Sequence, residues 1–242
     1  MGFCEIVKVQ VYFKVLIFYK KSIIWHYALL YNNMKCLAVI NEKDVFPEKN
    51  TSEEGVQYED RPTGKAIVFD EEGKIALIGT KVNSYYLLPG GGIDPGESVE
   101  DGIIRECLEE IGCDVKLDRS LGIIEDYRTR DKKHCINYCY IAQLKDEKGE
   151  LTLTEEEIKN GIHVIWVSPE EATSILKDET ELVKRGEVTF YNTGFNILRD
   201  FHFLNQLSKI RAENERIYLF TDYRGQFYSS TKYRGAAVDI PR

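Results

Sequence analysis

The sequence predicts an α/β fold, a mixed β-sheet flanked by helices, on two observations. β-rich runs recur along the chain, "GKAIVFDEEGKIALIGT" (64–80), "SLGIIEDYRTR" (120–130), "HCINYCYIAQL" (134–144) and "IHVIWVS" (162–168), and helical segments at 98–111, 168–179 and 193–215 lie between and after them. Strands and helices interleaved in this way pack as layers around a core, and 242 residues supply one sizeable core or at most two small ones.

Each element has a local reason. Residues 38–62 are polar and turn-rich and read as a short strand followed by a loop. Asp70 to Gly73 separates two β-rich runs and marks a hairpin. "YYLLPGG" runs into a glycine turn, after which Ser98 caps a helix, Asp101 suits the positive end of its dipole and Gly112 supplies a left-handed stop. A charged connection at Asp131 to Lys133 joins the next two strands, and a loop with Glu155, Glu156 and Glu157 precedes the strand at Ile162. Ser168, Pro169 and Glu171 then form a helix start with a capping box. Phe195, Leu198, Phe201, Leu204 and Leu207 form a helical stripe, and the tail from Arg216, with "YRG" at 223 and 233, reads as a loosely held extension.

Composition excludes several classes. The formal net charge of −8 argues against a surface for a nucleic-acid backbone, which needs clustered Lys and Arg. Six cysteines contain no CxxC pair and the four histidines lie far apart, so neither a zinc site nor a disulfide framework is expected. Cys135 and Cys139 lie on one side of a strand, as packing residues do.

Residues 1–33 differ from the rest, with one acid (Glu5) and no arginine. Their longest charge-free run, Ser22 to Asn33, falls short of the ~18 residues a bilayer span takes, and no cleavage site follows it. Gly2 lacks the Ser or Thr that a myristoylation signal wants, since Ile6 stands there. The expectation is that translation starts at Met34, with an amphipathic or β-rich extension as the alternative; without the segment the net charge becomes −11. The expected organisation is an atypical extension at 1–33, a strand and loop at 34–61, the main domain at 62–212 and a tail at 213–242. A cytoplasmic protein with reduced thiols is expected, and no membrane association.

The stretch "GGGIDPGESVEDGIIRECLEEIGC" (90–113) crowds Glu97, Glu106, Glu109 and Glu110 around a single Arg105. At about 100° per residue, Val99, Ile103, Ile104, Cys107, Leu108 and Ile111 fill the core half of the helix wheel. Glu106 and Glu110 stack at its border, where like charges oppose helix formation. Arg105 cannot neutralise them all, whereas Mg²⁺ takes carboxylate oxygens and tolerates phosphate as a further ligand. A solvated acidic face is the alternative. Glu97 is placed to reach back to Arg105 and hold Glu106, and the glycines allow close backbone approach.

Gly91, Glu97, Arg105-Glu106-Cys107, Glu109-Glu110 and Gly112-Cys113, at these spacings, resemble the Nudix box GX5EX7REUXEEXGU with every fixed position present. The order of elements from about 62 to 212 is also similar to a Nudix domain. The resemblance implies an α/β/α sandwich that hydrolyses, with Mg²⁺ or Mn²⁺, a nucleoside diphosphate linked to another group. It implies Glu106, Glu109 and Glu110 as metal ligands, the Gly90 carbonyl as a further one, and Glu97 and Arg105 as positioning groups. Cys107 and Cys113 stand where the family prefers a bulky aliphatic residue, and Gly102 sits inside the helix where alanine is usual, at a cost of up to about 1 kcal/mol.

Glu109 is one candidate for the base that takes the water's proton; Glu155, Glu156 and Glu157 supply alternatives. Tyr86, beside Tyr85, is a candidate for stacking on a base, and Arg128 and Arg130 for holding phosphate, with core and surface positions as the competing readings. The expected partner is a small-molecule nucleoside diphosphate derivative, and a homodimer is left open. A nucleotide sensor that does not hydrolyse and a hydrolase of a non-nucleotide diphosphate are the competing functions.

Overall fold

The computed structural model describes residues 34–48, 54–81, 85–145, 148–149, 151, 155–188 and 190–219, leaving aside the side chains of 156, 157 and 213–219. The chain divides into Met1–Lys35 and Cys36–Arg242, and the second unit holds every element below. The expectations for residues 1–33, the start at Met34 and the YRG tail fall outside the described residues.

Among the described residues seven strands form one mixed sheet: β1 (Cys36–Ile40), β2 (Glu59–Phe69), β3 (Ile75–Thr80), β4 (Tyr86–Leu87), β5 (Val115–Arg128), β6 (Lys133–Leu144) and β7 (Ile162–Val167). The order is β1-β5-β6-β2-β3-β4, with β7 paired to β3. β2 lies parallel to β6 and β1 parallel to β5, and the other pairings are antiparallel. β3 shares one edge between β2 at the Asp70–Gly73 turn and β4 further along, so the chain leaves β4 directly beside β2. That placement puts the glycine loop against the β2 backbone.

The helices are α1 (Glu42–Val45), α2 (Val99–Ile111), α3 (Glu155–Asn160), α4 (Pro169–Lys184) and α5 (Tyr191–Leu219). The two faces of the sheet follow from strand alternation. Gly64 of β2 faces Ile103 of α2, and the Tyr140 hydroxyl of β6 donates to Glu100 of α2 at 2.6 Å. The residues between, Ile67, Cys139 and Ile141, join Ile124, Leu176, Phe195, Phe203 and Leu204 in the core beneath α4 and α5. The result is the expected sandwich, with α2 on one face and α4 and α5 on the other.

Ser98 Oγ accepts from the Asp101 amide at 3.0 Å, Gly112 ends α2 at φ +64°, and Ser168 Oγ accepts from the Glu171 amide at 3.1 Å, as the sequence predicts. Cys135 and Cys139 are both buried.

The 34–61 segment supplies a strand, β1, in the same sheet, and its loop opens with α1, whose N-cap Asn41 amide donates to Asp44 Oδ2 at 2.8 Å. Other expectations need correction. The run Glu155 to Glu157 begins a short helix rather than a loop, because Gly161 at φ +64° gives it a left-handed stop. α5 extends past residue 212. Its i, i+3 stripe drifts around the helix, so Ile197 and Phe203 are fully buried while Leu198 and Phe201 are only partly covered.

The correction to α2 matters most. Leu108, assigned to the core half, is 53% exposed, and the buried residues are Val99, Gly102, Ile103, Cys107 and Ile111. The buried arc is therefore turned by roughly 60° toward the glutamates. Glu106 and Glu110 lie within that arc, under the glycine loop, rather than at its border.

Candidate active site

The loop from β4 to α2 is held by its backbone from three sides. On the β2 side, the Gly64 amide donates to Gly91 O at 2.9 Å, the Ala66 amide to Pro89 O at 3.0 Å, and the Ile93 amide to Pro62 O at 3.2 Å. Gly90 sits at φ +124°, and a Cβ there would run into the Gly64 carbonyl, so glycine is required twice over. On the helical side, the Tyr86 amide donates to Glu179 of α4 at 2.7 Å and the Leu88 amide to Asp200 of α5 at 2.9 Å. From beneath, the buried Lys65 ammonium donates to Leu88 O at 3.0 Å and to Gly90 O.

The glutamates of α2 meet this loop. Glu110 Oε2 accepts from the Gly90 amide at 2.6 Å. A Cβ on Gly91 would lie 2.5 Å from Glu106 Oε1, so the missing side chain there is space that the Glu106 carboxylate uses. Arg105 binds Glu97 in bidentate fashion, Nε to Oε1 at 2.9 Å and Nη2 to Oε2 at 3.0 Å. The same guanidinium reaches Glu106 at 2.9 Å, Glu109 at 3.4 Å and the Gly92 carbonyl at 3.0 Å. One arginine thus ties the loop, Glu97 and two of the three candidate ligands into a single unit. These bonds hold the Glu97 carboxyl below the usual carboxylate range and raise the Arg105 guanidinium well above its ordinary value.

Gly102 has a role beyond its helix cost. A Cβ at this position would lie 2.6 Å from Ile93 Cδ1 and 3.0 Å from Glu97 Oε2. The glycine lets Glu97 lie flat on the helix where Arg105 can reach it.

A family model described as the NUDIX domain matches residues 60–189, 130 of the chain's 242 residues. The chain belongs to the Nudix family. A Bacillus subtilis (strain 168) protein named "Putative 8-oxo-dGTP diphosphatase" is 38% identical over 68 residues, 28% of this chain and 46% of its own. Human diphosphoinositol polyphosphate phosphohydrolase 2 is 29% identical over 109 residues, 45% of this chain and 57% of its own. The ADP-ribose pyrophosphatase of Methanocaldococcus jannaschii is 32% identical over 80 residues, 32% and 47% of the two chains. The chain spans about half the length of the curated relatives it matches. Among solved structures, a NUDIX hydrolase from Nitrosomonas europaea aligns with a TM-score of 0.43 at 18% identity, covering 60% of this chain and 89% of that one.

Within this Nudix domain, Glu106, Glu109, Glu110, Glu97, Arg105 and Gly90 are gathered at one place. The carboxylates are turned toward Arg105 and the Gly90 amide, and among the described residues no three His, Cys, Asp or Glu side chains converge to hold an ion as they stand. The donor set nevertheless fits a hard cation: Glu106 is 15% exposed and cradled by Gly91, while Glu109, 51% exposed, is on the solvent side.

The candidate substrate residues have other partners. Arg128 is buried, donates to Asp126 at 2.6 Å and to Asn196 at 3.0 Å, and lies over Phe195 rather than on the surface. Arg130 pairs with Asp131 at 2.8 Å and stacks on Tyr191 with 3.7 Å from guanidinium carbon to ring centroid. Tyr86 meets His163 edge to face at 5.8 Å. The side chains of Glu156 and Glu157 fall outside the described residues.

Sequence reading missed Lys65, Glu179 and Asp200. Each binds backbone groups of the glycine loop, which carry no residue signature. The available signal was Lys65 itself, a charge inside the apolar strand "GKAIVF" that the structure leaves only 6% exposed. Also missed was the buried network joining Asp126, Arg128, Asn137, Asn196, Arg199 and Asp200 under α5.

Among the described residues no helix is long and apolar enough to cross a membrane.

Proposed function

We propose that the chain hydrolyses a diphosphate bond in a nucleoside diphosphate derivative, with Mg²⁺ or Mn²⁺ bound by Glu106, Glu109 and Glu110. The observation that carries this reading is the rotation of α2, which directs Glu106 and Glu110 inward beneath a glycine loop while Leu108 is left in solvent. A solvated acidic face gains nothing from such a rotation, because it would expose the acids and bury the leucine.

When bound, the divalent ion supplies charge neutralisation of the diphosphate and a more acidic water. The protein's own groups do the rest. Arg105, fixed by Glu97, holds Glu106 and the Gly92 carbonyl in register, so the ligand set is organised before substrate arrives. The backbone clamps from β2, α4 and α5 keep the loop from moving when charge enters the site. The exposure of Glu109, the most exposed of the three, supports it as the group that accepts a proton from the attacking water; Glu155, Glu156 and Glu157 are the alternatives. Arg128 is engaged with Asp126, and Arg130 with Asp131 and Tyr191, so no phosphate contact is assigned to them.

The names of the similar proteins share the diphosphate bond, and two of the three name a nucleotide. Those named for 8-oxo-dGTP, for diphosphoinositol polyphosphate and for ADP-ribose act on compounds joined by a phosphoanhydride. The net charge of −8 favours a metal-bridged small molecule over a polyanionic chain. The test is a panel of ADP-ribose, nucleotide sugars, dinucleoside polyphosphates and oxidised nucleoside triphosphates, with Mg²⁺ and with a chelator. Metal-dependent release of phosphate products from one class supports the reading, and binding without turnover across the panel replaces it with a sensor.

A further inference from the structure

The β2 strand points a cation at the loop. Lys65 lies on the β2 face opposite α2 and is buried, yet its ammonium reaches the Leu88 carbonyl at 3.0 Å and also the carbonyl of Gly90. Glu106 and Glu110 act on it from the α2 side, and Arg199 and Asp200 from α5. Gly90 is at the same time pressed against the Gly64–Lys65 backbone, and its amide is held by Glu110 at 2.6 Å, which fixes the loop beside the lysine.

This carbonyl is the oxygen that the motif offers to a metal. An oxygen bonded to an ammonium at a usual hydrogen-bond distance and to Mg²⁺ at a usual ligand distance would bring the two cations within about 4–5 Å of each other. Lys65 itself is buried, so the two cations repel more strongly than they would across bulk water. Both charges at one oxygen are therefore a poor arrangement.

We propose that Lys65 is a positioning residue that takes the place of a second divalent cation at the Gly90 carbonyl, so that the three glutamates hold a single ion when no substrate is bound. The inference rests on the metal site proposed above. Removing the positive charge frees the carbonyl and opens a second ion position beside Glu110, whereas arginine keeps the charge and blocks it.

The test counts bound Mn²⁺ per chain by electron paramagnetic resonance of the free ion, without substrate, in the full-length wild type, K65Q, K65M, K65R and E110Q. Thermal melts of each variant check its folding. Wild type and K65R should saturate at one ion, and K65Q or K65M at two. Glutamine retains a donor for the loop carbonyls, so K65Q preserves the loop support that K65M removes, and a gain of an ion is not what structural damage produces. Two ions on wild type, or one on a K65Q that melts as wild type does, overturns the proposal. If neither uncharged variant folds, the wild-type count alone decides, one ion supporting the proposal and two rejecting it. One ion in every Lys65 variant, lost in E110Q, rejects this inference and leaves the glutamate site standing; no ion in wild type rejects both.

Discussion

Replacing Glu179 by glutamine should stabilise the protein, and by an amount that grows with pH. The carboxyl is 5% exposed, one of its oxygens accepts from the Tyr86 amide at 2.7 Å, and the other has no partner among the described residues. Burial pushes its pKa up to about 8, against an unfolded value of about 4.3. Below pH ~4.3 both states hold the proton and nothing is lost. As pH rises toward about 8 the unfolded chain releases its proton while the folded chain keeps it, so folding is progressively opposed. At about 1.4 kcal/mol per unit this reaches about 3.5 kcal/mol at pH 7 as an upper bound, and about 2 kcal/mol once relaxation around the charged group is allowed. Glutamine keeps the acceptor for Tyr86 and cannot ionise. Melts of the two proteins should coincide near pH 4.5 and separate by about 4–8 °C at pH 7–8, at 2–4 °C per kcal/mol. Curves that stay parallel across this range would refute the reasoning, since every other titrating group is common to both proteins.

Three further substitutions probe the braces. R105K keeps the charge but loses the fork that binds Glu97 at two points, and kcat/KM should fall by about 10–100-fold in steady-state kinetics. G102A gains helix propensity worth up to about 1 kcal/mol, yet its Cβ crowds Glu97; melting should stay within a few degrees of wild type while kcat drops. G91A places a methyl group on the Glu106 carboxylate, and Mn²⁺ affinity should weaken by at least about tenfold in a calorimetric titration, with an unchanged circular dichroism spectrum.

How far the sequence revealed this site depended on how local each contact is. The Glu97–Arg105 brace spans eight residues and a helical period, so the side chains could be placed on a wheel. The hairpin at Asp70 and the helix caps at Ser98 and Ser168 are equally local, and they appear where the sequence puts them. The supports for the glycine loop are not local: Asp200 is 112 residues from Leu88, Glu179 is 93 from Tyr86, and all three side chains, Lys65 included, bind backbone atoms. The rotation of α2 escaped for a related reason. Apolar content alone centres the buried arc between Val99 and Leu108, and only the glycine loop lying on Glu106 and Glu110 turns the helix further. The α5 stripe was misplaced because an i, i+3 count drifts around the helix by about 60° at each of its four steps.

The central claim is that Glu106 and Glu110 under the loop, with Glu109 on the solvent side, form the centre of a metal-dependent diphosphate hydrolase. The most direct measurement is product release from the substrate panel by wild type and E110Q, each with Mg²⁺ and with chelator, with thermal melts run alongside. Turnover by wild type that requires the metal and disappears in a folded E110Q is the predicted result. Turnover that survives the chelator or the substitution would contradict it.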